Sequence, residues 1–240
     1  MANSIIALLV IVVVVVAIGA YVALYSAPTA NVGGTGSVSY TVSDARQTLS
    51  SVSAVNMQVQ SIQMHSTTTG QWYSVPVSGS GNYNLTALTS TYAFVGGANV
   101  PAGNYDEIAL TATSVTATVN GTAKAVVLPS KVFKVFGNFS VSSTANTGST
   151  NWINFDFKVN QSLHETGNGM IIMLPVIQTV AWSNAKLRIG AGDNVSVEDA
   201  GQVTESVEAG MDANGTMKEG LNIPASANVS IGANGTIEIG

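Results

Sequence analysis

The chain has no cysteine, two histidines, six prolines and few charges: 9% of its 240 residues, eight of them basic and 13 acidic. Without cysteine, a disulfide-stapled secreted fold is excluded. With a net charge of -5 there is no basic footprint to displace counterions from phosphate, so nucleic-acid binding is excluded too. Ordinary globular domains carry about 25% charged residues, so this surface must rely on Ser, Thr, Asn and Gly for its polarity. A hydrophobic fraction of 46% argues against intrinsic disorder. The length suffices for one or two domains with a real core. Charge is also missing locally. No charged residue precedes Asp44, whereas eight of the 13 acidic residues lie beyond residue 190. An uncharged head, a patterned middle and an acidic tail each need their own account.

The head, Ile5 to Tyr25, is 21 residues whose only side-chain polar groups are tyrosine hydroxyls. As a helix it would be about 32 Å long, enough to cross a bilayer core. Val12 to Val16 are five consecutive valines, a run that disfavours helix in water. In lipid the backbone must satisfy its own hydrogen bonds, so helix is expected there. A secretory signal would have a basic start, and none is present. An ordinary anchor would have flanking charges, yet the 18 residues after Tyr25 have none. A third reading, beside signal and anchor, is a helix apolar on every face and buried on every face: one that leaves the membrane for a bundle of copies, packing through Ile5, Leu8, Ile11, Val14, Ile18, Val22 and Tyr25.

This head resembles the mature N-terminus of archaeal type IV pilins, in which a peptidase removes a short basic leader ahead of the hydrophobic helix. Met1-Ala2-Asn3-Ser4 runs straight into Ile5, as a processed form would. The early glutamate of bacterial pilins is absent, which favours the archaeal branch. Archaeal flagellins share this kind of head, so the helix alone does not distinguish the filament types. The resemblance implies a filament subunit that is transiently membrane-inserted, ends up extracellular, and has identical subunits as its partners.

Ser26 to Gly36 (SAPTANVGGTG) reads as a hinge, with Pro28 unable to continue a helix. From Ser37 the period becomes two. Val55, Met57 and Val59 alternate with Asn56, Gln58 and Gln60, and Ile153, Phe155, Phe157 and Val159 alternate with Asn154, Asp156 and Lys158. These are half-buried strands. Asn120-Gly121 predicts a type I′ hairpin. The body resembles an uncharacterised extracellular β-sandwich family of archaeal and bacterial surface proteins over about residues 50–180. Its most specific segment here is Val100-Pro101-Ala102-Gly103-Asn104-Tyr105-Asp106-Glu107-Ile108. That resemblance implies a fold and no activity. In the tail, Ala213-Asn214-Gly215-Thr216 and Ala233-Asn234-Gly235-Thr236 both predict hairpins.

The expected class is therefore mostly β: a long hydrophobic N-terminal α-helix, then an antiparallel β-sandwich with extra C-terminal strands. The expected divisions are a helix over 1–25, a hinge over 26–36, a body over 37–184 and an acidic hairpin extension over 185–240.

Chemistry is sparse. Asp156, Ser162 and His164 are close in sequence, but no nucleophile elbow accompanies them, and both histidines read as surface residues at strand ends. Asp193, Asn194, Glu198 and Asp199 lack the spacing of an EF-hand loop, so the acidic stretch reads as a solvated surface. No catalytic residue, cofactor or metal is expected. The stronger signal is N-x-[ST], at Asn84, Asn120, Asn138, Asn160, Asn194, Asn214, Asn228 and Asn234. Asn-Gly turn chemistry accounts for Asn120, Asn214 and Asn234 without sugar; glycosylation would also explain how so uncharged a surface stays soluble. The expected function is a structural pilus subunit that polymerises through its head for adhesion. The alternatives are a monomeric membrane-anchored surface or binding protein and a flagellin-like filament subunit.

Overall fold

The computed structural model describes residues 34–44, 51–144, 147–224 and 226–239. Apolar alternation with period two turns these residues into sheets. β1 (Thr35–Asp44), β5 (Tyr92–Pro101), β9 (Thr150–Phe157), β12 (Val176–Ile189), β13 (Asn194–Asp199), β14 (Gln202–Met211) and β15 (Met217–Glu219) form a seven-stranded sheet in the order β13-β5-β1-β9-β12-β14-β15. β2 (Val52–Ser66), β3 (Trp72–Val75), β4 (Asn82–Asn84), β6 (Gly103–Val119), β7 (Thr122–Val127), β8 (Val132–Val141), β10 (Leu163–Glu165) and β11 (Ile171–Met173) form the eight-stranded sheet. There β10-β11-β7-β6-β2-β3 are neighbours, with β4 beside β2 and β8 beside β6. A separate two-stranded sheet joins β16 (Val229–Ile231) to β17 (Ile237–Ile239).

The two large sheets pack face to face. Tyr40, Val42, Phe155 and Phe157 from one meet Met57, Met64, Phe133 and Phe139 from the other, all fully or almost fully buried. Phe133 meets Phe157 edge-on across the sheets at 6.1 Å, and the Tyr40 hydroxyl reaches the Met64 sulfur at 3.2 Å. Burial pushes the Tyr40 hydroxyl far above its ordinary value, so it stays protonated and keeps donating.

The expected class needs correction. The sandwich is mixed, not antiparallel: β1 runs parallel to β9, and β7 parallel to β11. A long apolar helix over Ile5, Leu8, Ile11, Val14, Ile18, Val22 and Tyr25 falls outside the described residues. Among the described residues, helix amounts to one α-helical turn, α1 (Val159–Ser162), and two 3-10 turns, and no helix is long and apolar enough to cross a membrane. The expected boundary at 184/185 falls inside β12, and β13 to β15 are integral to the seven-stranded sheet; only β16–β17 stand apart. Of the expected hinge, residues 35 and 36 already belong to β1. The reason is local. Val195, Val207, Ala209 and Met211 are buried, and Glu208, set between Val207 and Ala209, alternates onto the opposite face.

The expected hairpins are present. Asn120 and Gly121 have φ of 49° and 77°, and Val119 pairs with Thr122. Val100 to Tyr105 has a defined mechanical role: here the chain leaves one sheet at the end of β5 and enters the other at β6. Gly103 sits at φ +151°, and the buried Tyr105 hydroxyl donates back to the Pro101 carbonyl at 2.7 Å. The arrangement is that of a tyrosine corner, which fixes a chain crossing between sheets. Tyr105→Phe removes this bond and strands the Pro101 carbonyl. We expect a loss of about 1–2 kcal/mol in urea unfolding, with the fold retained; an unchanged midpoint would show that the corner is held by packing alone.

Candidate functional site

The parallel pairing of β1 with β9 places Thr41 beside Asn154 and Ser43 beside Asp156. Their side chains lie on the face turned away from the sandwich core and form one continuous polar ladder. The Trp152 indole N–H donates to Thr41 Oγ1 at 2.8 Å, and Thr41 donates to Asn154 Oδ1 at 2.8 Å. Asn154 Nδ2 donates to Ser43 Oγ at 2.9 Å, and Ser43 donates to Asp156 Oδ1 at 3.0 Å. Indole is donor-only and carboxylate acceptor-only. Every bond therefore points the same way, and the chain ends on an acid. Such aligned bonds polarise one another.

The ladder is shielded because this end of the sheet closes on itself: β13 pairs with β12 on one side and with the start of β5 on the other. Trp152 stacks on Trp182 with centroids 4.0 Å apart, and Tyr92 meets Trp152 edge-on at 5.0 Å. Where the ladder ends there is a pocket of about 260 Å³ lined by Ser43, Asp44, Ser90, Thr91, Tyr92 and Asp156. Burial pushes the Asp44 carboxyl up to about 7; the Val159 N–H, donating at 3.2 Å, pulls it down, and the Asp156 charge raises it further. Burial also raises Asp156, against the Ser43 hydrogen bond and the Lys158 charge. The pocket thus holds a proton near neutrality and presents carboxyl and hydroxyl oxygens to a polar or cationic group. Among the described residues, no group of three or more His, Asp or Glu is placed to hold a metal.

A second exposed feature crosses the outward face of the eight-stranded sheet, where Trp72, His65, Glu107 and Phe136 stand in one cross-strand row. His65 Nδ1 lies 2.7 Å from Asp106 Oδ1, and Lys134 pairs with Glu107 at 2.8 Å while lying 5.9 Å from the Trp72 ring. Trp72 is 43% and Phe136 49% exposed.

Asp156, Ser162 and His164 do not form a triad. Ser162 Oγ donates to the Lys158 carbonyl at 2.7 Å and accepts from the Val176 N–H at 2.9 Å. Asp156 accepts from Ser43 instead. His65 is a surface residue, as expected, but His164 is not: it is only 2% exposed. Of the acidic stretch, Glu198 pairs with Arg188 at 2.7 Å and Asp199 accepts from the Gly201 N–H at 2.9 Å. The sequons differ in accessibility. Asn120, Asn138, Asn194, Asn214, Asn228 and Asn234 are exposed, whereas Asn84 and Asn160 are half-buried. At Asn160 the acceptor hydroxyl is that of Ser162, which is buried and bonded on both sides.

Sequence reasoning missed the ladder. Its trace was visible as Ser37-x-Ser39-x-Thr41-x-Ser43 and as Asn154-x-Asp156, but each pattern alone reads as a solvated strand face.

The pocket leads to a direct test. Asp44→Asn keeps an acceptor for the Val159 N–H and removes the titration. A folded-state value of about 7 against the ordinary 3.8 means that the native state holds the extra proton between those values, so wild-type stability falls as pH rises from about 4 to about 7. Thermal melts should show that slope in wild type and a clearly shallower one in Asp44→Asn, where Asp156 still contributes, with the variant more stable at pH 8 by roughly 2 kcal/mol. The same slope in both proteins would exclude Asp44 as its source.

A family model described as a domain of unknown function (DUF4382) matches residues 35–175. No curated protein and no solved structure matches the chain.

Proposed function

We propose, since the chain belongs to the DUF4382 family and its sandwich follows a charge-free head, that it is a structural subunit displayed outside the cell. In this reading the apolar segment 5–25 packs against the same segment of other copies inside a filament, and the sandwich faces outward for adhesion to a surface or another cell. The observation that carries the reading is the absence of any charge from Met1 to Ser43. A segment with no charge and almost no polar side chain passes from lipid into a packed apolar interior without leaving an unpaired charge. In the same reading the charge-free head is that of a subunit similar to archaeal type IV pilins. Contacts between copies that do not close into a ring build a helical polymer. Exposed sequons on a weakly charged surface support glycosylation of the displayed part.

Material sheared from cells should contain filaments that include this chain by electron microscopy and mass spectrometry. Recovery only as membrane-bound monomers would favour the anchored surface protein and sink the polymer. Val14→Asp should abolish filaments, because an unpaired charge in an apolar interior costs several kcal/mol; wild-type filament yield from that variant would count equally against the reading.

Glycopeptide mapping supplies an independent check. For sugar added to the folded chain, occupancy should be confined to the exposed asparagines and be absent at Asn160, whose Ser162 partner is locked. Occupied Asn160 would mean that modification precedes folding, and bare asparagines throughout would remove the glycan part of the proposal.

A further inference from the structure

β10 and β11 have two different faces. Leu163, Ile171 and Met173 point into the main core, whereas Ile172 and Leu174 pack with Ile223 and Val229 of the C-terminal segment that carries β16 and β17. His164 is paired directly with Ile172 across the two strands, so its ring shares the face that the C-terminal segment covers. It is 2% exposed, and neither Nδ1 nor Nε2 has a partner in good hydrogen-bond geometry, the Gln161 backbone alone lying near enough to favour a charged ring. Gln161 Oε1, on the adjoining turn α1, is also buried without a partner. A neutral imidazole has one N–H to donate and one nitrogen to accept, and leaving both unused beneath an apolar cap is a cost that folded proteins rarely tolerate without a reason.

The surrounding charges do not supply a counter-ion. On β10, Glu165 alternates to the opposite face and pairs with Lys124 of β7 at 3.4 Å. Lys158, before α1, pairs with Glu208. β11 has no charged residue, and between Leu221 and Ile239 the only one is Glu238, whose carboxylate lies over Gly232. Burial holds the ring below its ordinary value, offset only by the Gln161 backbone.

We propose that His164 is the catch of an acid-released cap: when the ring becomes charged, the C-terminal hairpin β16–β17 undocks and bares Ile172 and Leu174 beside the edge strand β10. The proposal goes beyond the filament reading and holds or fails without it. The sign follows from the geometry. The docked state favours the neutral ring, so docking weakens as pH falls below about 6.5, by at most tenfold per pH unit for one proton. Between pH 7.5 and pH 5.0 that allows up to about a thirtyfold rise in the open population. Asp44 acts with the opposite sign, because acid stabilises the fold there, so the two groups are separable.

The test is hydrogen–deuterium exchange of the full chain in detergent micelles at pH 7.5, 6.5 and 5.0, corrected for intrinsic rates. Peptides covering 221–239 should lose protection by up to about thirtyfold between pH 7.5 and 5.0, while peptides from β2 and β6 keep theirs. His164→Phe, which fills the same space without a titrating group, should keep the hairpin protected at every pH. Hairpin protection independent of pH in wild type, or the same acid loss in His164→Phe, overturns the proposal. If the variant does not fold, an NMR titration of wild type decides: ring protonation and hairpin opening must share one midpoint, and protonation with the hairpin still docked refutes the catch.

Discussion

The parallel contact between β1 and β9 holds this structure together. It joins segments more than a hundred residues apart in sequence, as the Thr41–Asn154 hydrogen bond illustrates. One face of the pair gives the core Val42 and Phe155; the other carries the ladder from Trp152 to Asp156. Because loop closure must precede the contacts that reward it, such a pairing forms late and slows folding. The pocket, the shielded tryptophan pair and the raised carboxyls all depend on that one register.

The matched family region, 35–175, contains every strand of the eight-stranded sheet but only β1, β5 and β9 of the other. β12 to β15 complete the second sheet, and β13 closes the curl over the ladder. In this chain the environment of Asp156 is therefore finished by residues outside the family region. Lys158, which steadies that carboxylate, is itself paired with Glu208 of β14.

Much of the local structure was legible in the sequence. Period-two alternation at Val55–Val59 and Ile153–Phe157 marked strands, and Asn120-Gly121 marked a tight hairpin, because both signals are set by neighbouring residues. What failed was non-local. Nothing in Ser39, Thr41 and Ser43 announces a parallel partner, so the sheet was expected to be antiparallel. Acidic residues after position 190 suggested a separate extension, whereas Val207 and Ala209 on the alternate face are core. His164 read as a strand-end surface residue because its cover, near Ile223 and Val229, comes from some sixty residues downstream. The candidate site was the least legible part, since it needs β1, β5 and β9 brought side by side.

The placement of β1 also has a mechanical meaning. Whatever holds the chain upstream of Gly34, tension reaches the sandwich through β1, and β1 is an interior strand, bonded to β5 on one edge and β9 on the other. It cannot be peeled away like an edge strand; both rows of backbone hydrogen bonds must yield before it leaves. A domain tethered by its terminal residues is thus gripped at its centre, and load on the tether is spread across three strands before any one of them gives way.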